Sequence, residues 1–110
     1  MIRPKIVCLC GSTRFSEAFQ KANLEETLKG NIVLSIGCDL RSDEVVFKNM
    51  NAEKLRQTKK ELDELHLRKI ELADEVLILN VDGYIGESTT NELTHAVNLH
   101  KKIRYLEPLW

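Results

Sequence analysis

Four short apolar runs, at residues 5–10, 31–36, 75–81 and 102–106, are spaced along this 110-residue chain. Between them lie segments whose apolar residues recur at helical spacing. The first run, Lys5-Ile6-Val7-Cys8-Leu9-Cys10, is apolar almost throughout, the pattern of a strand covered on both faces in a parallel sheet. Strands that alternate with helices wind right-handed into such a sheet and leave helices on both sides of it. The expected fold is therefore α/β: a three-layer, Rossmann- or flavodoxin-like single domain over residues 1–110, with about four parallel strands in the order 2-1-3-4. In that order the neighbours of the first strand depart to opposite sides, which opens a crevice at the carboxyl ends of the first and third strands.

The intervening segments carry their own signals. Gly11-Ser12-Thr13-Arg14 ends the first strand, and a helical pattern runs from Phe15 to Leu28, with Gly30 as its stop. Residues 38–51 read as a polar loop with one helical turn. Residues 52–73 read as a long helix in which Leu55, Leu62, Leu65, Ile70 and Leu72 recur among charged residues, until Asp74 breaks the pattern. A turn-rich loop, residues 82–87, precedes Ser88, a good N-cap for a helix that runs through His100.

Composition excludes several classes. Hydrophobic residues are 43% and charged residues 30% of the chain, an ordinary globular balance, and no run is long enough for a membrane span or a signal-peptide core. A cytoplasmic location is expected. Sixteen basic residues against seventeen acidic ones give a net charge of −1, so no strong field favours a nucleic acid polymer or a membrane surface, and an anionic ligand must be held locally. Cys8 and Cys10 lie two apart on one strand and point to the same face, so they read as buried free thiols. A Cys-x-Cys zinc half-site is the alternative, but no second Cys/His pair at ligand spacing accompanies it, so neither a metal nor a redox cofactor is expected.

Two segments can carry chemistry. Gly11-Ser12-Thr13-Arg14 stands where a strand hands over to a helix, so backbone N–H groups, the helix dipole and the Arg14 guanidinium all favour an anion or polar ligand. It has neither GxGxxG nor GxxxxGK[ST] spacing, and in the plainer reading Ser12 or Thr13 merely caps the helix. The second segment is Ser88-Thr89-Thr90-Asn91-Glu92. It puts Glu92 one turn into a helix, on the side of Ser88 and of His95 or Ala96, where a carboxylate near the N-terminus is expected to stay ionised and available as a nucleophile or base. Spacing alone is explained as well by a first-turn glutamate that complements the helix dipole.

The order Cys10-Gly11-Ser12-Thr13-Arg14, then Leu72-Ala73-Asp74-Glu75-Val76, then Asp82 and Gly83-Tyr84-Ile85-Gly86-Glu87-Ser88 leading to Glu92-Leu93 and Ala96, resembles the nucleoside 2-deoxyribosyltransferase superfamily, which includes the 2'-deoxynucleoside 5'-monophosphate N-glycosidases. The likeness runs over nearly the whole chain. It implies that Glu92 is the nucleophile attacking the anomeric carbon of a deoxyribosyl group, that Asp82 assists at the sugar or base, and that Gly11, Ser12, Arg14, Gly86 and Ser88 contact the substrate. The chemistry is that of a retaining glycosidase, in which a carboxylate captures an oxocarbenium-like centre. A second acid must protonate the leaving base, and Asp39, Asp82 or His66 are the candidates, with only Asp82 placed by the resemblance. His66, in the long helix, reads as a solvated or half-buried histidine. The resemblance also implies a small-molecule nucleoside or nucleotide as ligand and a homodimer in which a partner chain completes each site. Leu55, Leu62, Leu65, Leu109 and Trp110 offer apolar surface for that, although the leucines would equally well cover the sheet of their own subunit. The competing class is a non-catalytic nucleoside or nucleotide sensor of the same fold. A receiver-like or flavin-binding domain finds no support in Cys10-Gly11-Ser12.

Overall fold

The computed structural model describes residues 3–36 and 48–109, so most of the loop expected over residues 38–51, with Cys38 and Asp39, lies outside the described residues. Strands β1 (Ile6–Cys10), β2 (Ile32–Leu34), β3 (Glu75–Ile78) and β4 (Lys102–Tyr105) form one parallel sheet. Helices α1 (Ser16–Leu28), α2 (Ala52–Leu72) and α3 (Glu87–Asn98) connect or flank them. The order is β2-β1-β3-β4, as the alternation of apolar runs predicts, and β1 pairs Cys8 with Leu34 on one side and with Val76 on the other.

The alternating side chains of β1 and β3 divide the core into two layers. Val7, Leu9, Leu77 and Leu79 pack against Phe19 and Ala22 of α1. Cys8, Cys10, Val76 and Ile78 pack against Ile70 of α2, Ala73 and Ala96 of α3. The two central strands are apolar at almost every position because both of their faces are covered.

Turn chemistry closes the helices. At the end of α1 the Asn31 N–H donates to Glu26 O and the Gly30 N–H to Thr27 O, with Gly30 at φ 87°, a Schellman arrangement in a conformation that glycine enters without a Cβ clash. The end of α3 has the same pattern, from Lys101 to Ala96 and from His100 to Val97, but His100 occupies the left-handed position at φ 58°. That is why α3 ends at Asn98, two residues before the sequence pattern suggests. Asn51 caps α2, its side chain accepting the Lys54 N–H at 2.8 Å. Asp74, the residue that breaks the α2 pattern, accepts from the Ile6 N–H and from both terminal nitrogens of Arg3, which pins the start of β3 to the start of β1. These charge-assisted bonds, that from Arg3 first, hold its carboxyl down at about 2.

Two parts of the sequence pattern take a different form in the structure. Leu62, Leu65 and Leu72 are exposed, so they do not cover their own sheet, and the buried stripe of α2 is His66 and Ile70 instead. The second difference concerns charge. Glu26 and Glu75 are buried and share Arg104 of β4, at 2.6 and 2.8 Å, while Lys29 and Lys5 complete their pairing. Burial alone would raise the Glu26 carboxyl, but the hydrogen bonds from Arg104 and Lys29 bring it down to about 2.

Candidate functional site at the carboxyl edge of the sheet

The loops that follow β1 and β3 meet at the carboxyl edge. Arg14 spans them: Nε donates to Ser12 Oγ at 3.2 Å, a terminal nitrogen donates to Tyr84 Oη at 3.3 Å, and its guanidinium carbon lies 4.5 Å from the centre of the Tyr84 ring. Phe15 meets the same ring edge-on at 5.9 Å between centroids. Two glycines nearby stand where a side chain would crowd a neighbour, Tyr84 at Gly86 and Leu79 at Gly11. A Cβ on Gly86 would sit 3.0 Å from the Tyr84 hydroxyl, and a Cβ on Gly11 would sit 3.1 Å from the Leu79 side chain, so a larger residue at either position requires its neighbour to shift.

Gly86, with extended backbone, is the residue before α3, so Ser88 is not the N-cap that its type suggests. The helix starts one residue before Ser88, at Glu87, and the exposed Ser88 lies inside its first turn. The buried face of α3 is accordingly Thr89, Glu92 and Ala96, and Ser88 is not part of it. Asp82 sits exposed at φ 54°, held there by donation of its N–H to the Glu107 carboxylate at 2.9 Å. Asn80, fully buried, exchanges two hydrogen bonds with the backbone of Glu107 and ties the end of β3 to the end of β4.

Glu92 belongs to a different cluster, one layer away on the α2 and α3 side of the sheet. Its side chain is 11% exposed, and Oε1 lies 3.9 Å from His66 Nε2. The same His66 nitrogen is 3.4 Å from Cys10 Sγ and 3.7 Å from Cys8 Sγ. Neither His66 Nδ1 nor Glu92 Oε1 has a hydrogen-bond partner among the described residues, although both atoms are buried. Burial raises the Glu92 carboxyl to about 7, so the expectation that it stays ionised does not hold: removal from water outweighs the attraction of His66. Burial also opposes the charged form of His66, but the Cys8 thiol and the negative charges of Cys8 and Glu92 turn the net shift upward. Between the two thiols, the hydrogen bond from Cys10 holds Cys8 down at about 6, while that contact and burial push Cys10 up.

A groove of about 490 Å³ runs along α1 on the opposite face, lined by Arg14, Phe15, Ala18, Lys21, Val81 and Leu106 among others. Glu92 does not line it. The structure thus brings Gly11, Ser12, Arg14 and Gly86 together at the edge, sets Glu92 with Cys10 and His66 behind it, and ties the Asp82 backbone to the Glu107 carboxylate.

His66 is the residue that sequence reasoning misplaced: it is 5% exposed, wedged against the two thiols. The usable signal was its spacing. His66, Ile70 and Ala73 fall on one face of a helical pattern, and Ile70 and Ala73 are core residues. Among the described residues no helix is long and apolar enough to cross a membrane. No protein-family model matches the chain, and no curated protein matches it either.

Proposed function

We propose that this protein cleaves or transfers the N-glycosidic bond of a (deoxy)nucleoside or nucleotide, with Glu92 as nucleophile. The observation that carries the reading is Glu92 itself, a nearly buried carboxyl with an unpartnered oxygen, beside the last residue of β1 in a parallel α/β sheet. Carboxyl groups raised to near neutrality by burial are characteristic of catalytic positions. The motif order around Glu92 supports the same assignment.

In this reading the Glu92 carboxylate attacks C1', and the C1'–N bond breaks with its electron pair going to the base, which takes a proton from a general acid. Water or a second base then attacks C1' and releases the carboxylate. Asp82 is the acid suggested by the motif order, and His66, with Nε2 3.9 Å from Glu92 Oε1, is a second titratable group close to the nucleophile. Arg14, held across the edge by Ser12 and Tyr84, supplies a cation for the sugar hydroxyls or a phosphate. A homodimer fits the exposed Leu62 and Leu65 on α2.

The test is chromatographic detection of free base from a panel of deoxyribonucleosides and their 5'-monophosphates, with wild type and Glu92→Ala side by side. Release by wild type and not by the variant supports the proposal, and the rate should rise with pH through about 7 as Glu92 ionises. A second reading, a binding module without turnover, is favoured by the position of Arg14 at the edge, where its partners among the described residues are the hydroxyls of Ser12 and Tyr84. Saturable nucleotide binding that Arg14→Ala weakens, with no base release from any substrate, would select that reading.

A further inference from the structure

Cys8, Cys10 and His66 form a group whose ligating atoms all lie within 4.8 Å of one another, and all three residues are buried. Glu92 stands against that group, with Oε1 unpartnered and 3.9 Å from His66 Nε2. We propose that these four side chains form a binding site for a thiophilic divalent metal ion, zinc, with Cys8, Cys10 and His66 as the primary ligands and Glu92 Oε1 as the fourth.

The spacing carries the argument. With Zn–S near 2.3 Å and Zn–N near 2.0 Å at tetrahedral angles, a thiolate sulfur and an imidazole nitrogen on one ion lie roughly 3.6 Å apart. The observed separations are 3.4 and 3.7 Å. A carboxylate oxygen and an imidazole nitrogen on the same ion lie about 3.4 Å apart. Glu92 Oε1, at 3.9 Å, comes within reach by a small rotation of its side chain. Cys8 and Cys10 point to the same side of β1 because strand side chains alternate, so the two sulfurs present themselves together without any loop. They do not have to stand free as a redox pair, since residues two apart along an extended strand are poorly placed for a disulfide.

The chemistry of the set selects the ion. Two sulfurs and an imidazole suit zinc far better than magnesium or calcium, which take oxygen ligands. Two thiolates and a carboxylate carry three negative charges around a neutral imidazole. A dication offsets two of them, and Lys69, which acts electrostatically on both Cys8 and His66, lies near enough to offset more. The metal joins α2, β1 and α3, three elements that otherwise meet here through a thiol–imidazole contact and two unpartnered polar atoms. The site needs only these side chains and stands whether or not Glu92 reacts with a nucleoside. Where both hold, a zinc-loaded chain has its nucleophile coordinated and idle.

Because the ligands are buried, loading accompanies folding. The full-length chain is refolded from denaturant with Zn²⁺, with Co²⁺ or with a chelator, dialysed, and assayed for metal content, absorption and thermal unfolding. The proposal expects one equivalent of zinc per chain, thiolate-to-cobalt charge-transfer absorption in the Co²⁺ form, and a higher Tm with zinc than with chelator. Cys10→Ser and His66→Gln should each lose stoichiometric zinc, and Glu92→Gln should bind at least tenfold more weakly with the thiolate bands retained. Absence of both stoichiometric zinc and thiolate–cobalt absorption in wild type overturns the proposal, a result that does not depend on any variant folding. Full zinc retention by folded Cys10→Ser and His66→Gln overturns it as well, and unchanged affinity in Glu92→Gln removes Glu92 from the ligand set. Base release plays no part in these readouts, so failure here and failure of the glycosidase reading are separate results.

Discussion

Replacing Glu92 with glutamine should change how the stability of the metal-free protein depends on pH. Burial raises its carboxyl to about 7 in the folded chain, from an ordinary value of 4.5. Between those values the folded state holds a proton that the unfolded chain has released. The stabilisation is therefore complete below about pH 4.5, is lost as pH rises toward 7, and changes no further above it. At ~1.4 kcal/mol per tenfold change in proton affinity, the gap between those two values is worth about 3 kcal/mol. The burial of the side chain, 11% exposed, leaves little solvent to screen this. His66, shifted upward, acts with the same sign: its contribution is present below its unfolded value and fades as pH rises through the folded one. Glutamine cannot ionise, so Glu92→Gln removes the Glu92 part and, with it, the share of the His66 shift that the Glu92 charge causes. Satisfying the new amide costs about 1 kcal/mol, so above pH 7.5 the variant should be roughly 2 kcal/mol more stable than wild type, with the two converging near pH 5. Urea denaturation at pH 5, 6, 7 and 8 with chelator present measures this directly. Cys8, held down at about 6, acts with the opposite sign in both chains, so the comparison between them decides: a variant that does not gain stability relative to wild type between pH 5 and 8 would refute the assignment of a raised Glu92 carboxyl.

Two further outcomes test the frame around the site. Arg104→Met leaves Glu26 and Glu75 without their shared cation, though Lys29 and Lys5 remain, and should cost about 2 kcal/mol in chemical denaturation at pH 7, less than a fully buried pair because Arg104 is partly exposed. The Glu26 contribution is present above about pH 4.5 and is lost as pH falls toward 2, so the defect should shrink in acid; a defect that persists at pH 2 contradicts this. Gly11→Ala, at the half-buried residue that follows β1, places a methyl 3.1 Å from the Leu79 side chain and 3.3 Å from its carbonyl oxygen and should destabilise by about 1–2 kcal/mol, whereas an unchanged Tm would mean that the loop yields.

The motif order singles out Glu92, and the structure places that residue in a nearly buried cluster beside His66 and not on an open crevice. The difference comes from which face of α3 turns inward. A helix that starts at Glu87 buries Thr89, Glu92 and Ala96, and one residue of uncertainty at its start is enough to exchange Ser88 for Thr89 on that face. The leucines of α2 teach the same lesson. Leu62, Leu65 and Leu72 dominate its apolar pattern, yet the sheet is covered by His66 and Ile70, because hydropathy ranks a histidine as polar while two thiols on the strand beneath give it partners.

The alternation of apolar and helical segments by itself determined the parallel sheet, the order β2-β1-β3-β4 and the shared direction of Cys8 and Cys10, since these follow from side-chain period and the handedness of crossovers. Only the tertiary structure decided that His66, 56 residues beyond Cys10, closes on those two sulfurs, and that Glu92 arrives beside them from α3. Local pattern carries no information about which side chains of two helices converge on one strand. That depends on how α2 and α3 pack across the sheet, where burial sets the charge of every group it encloses.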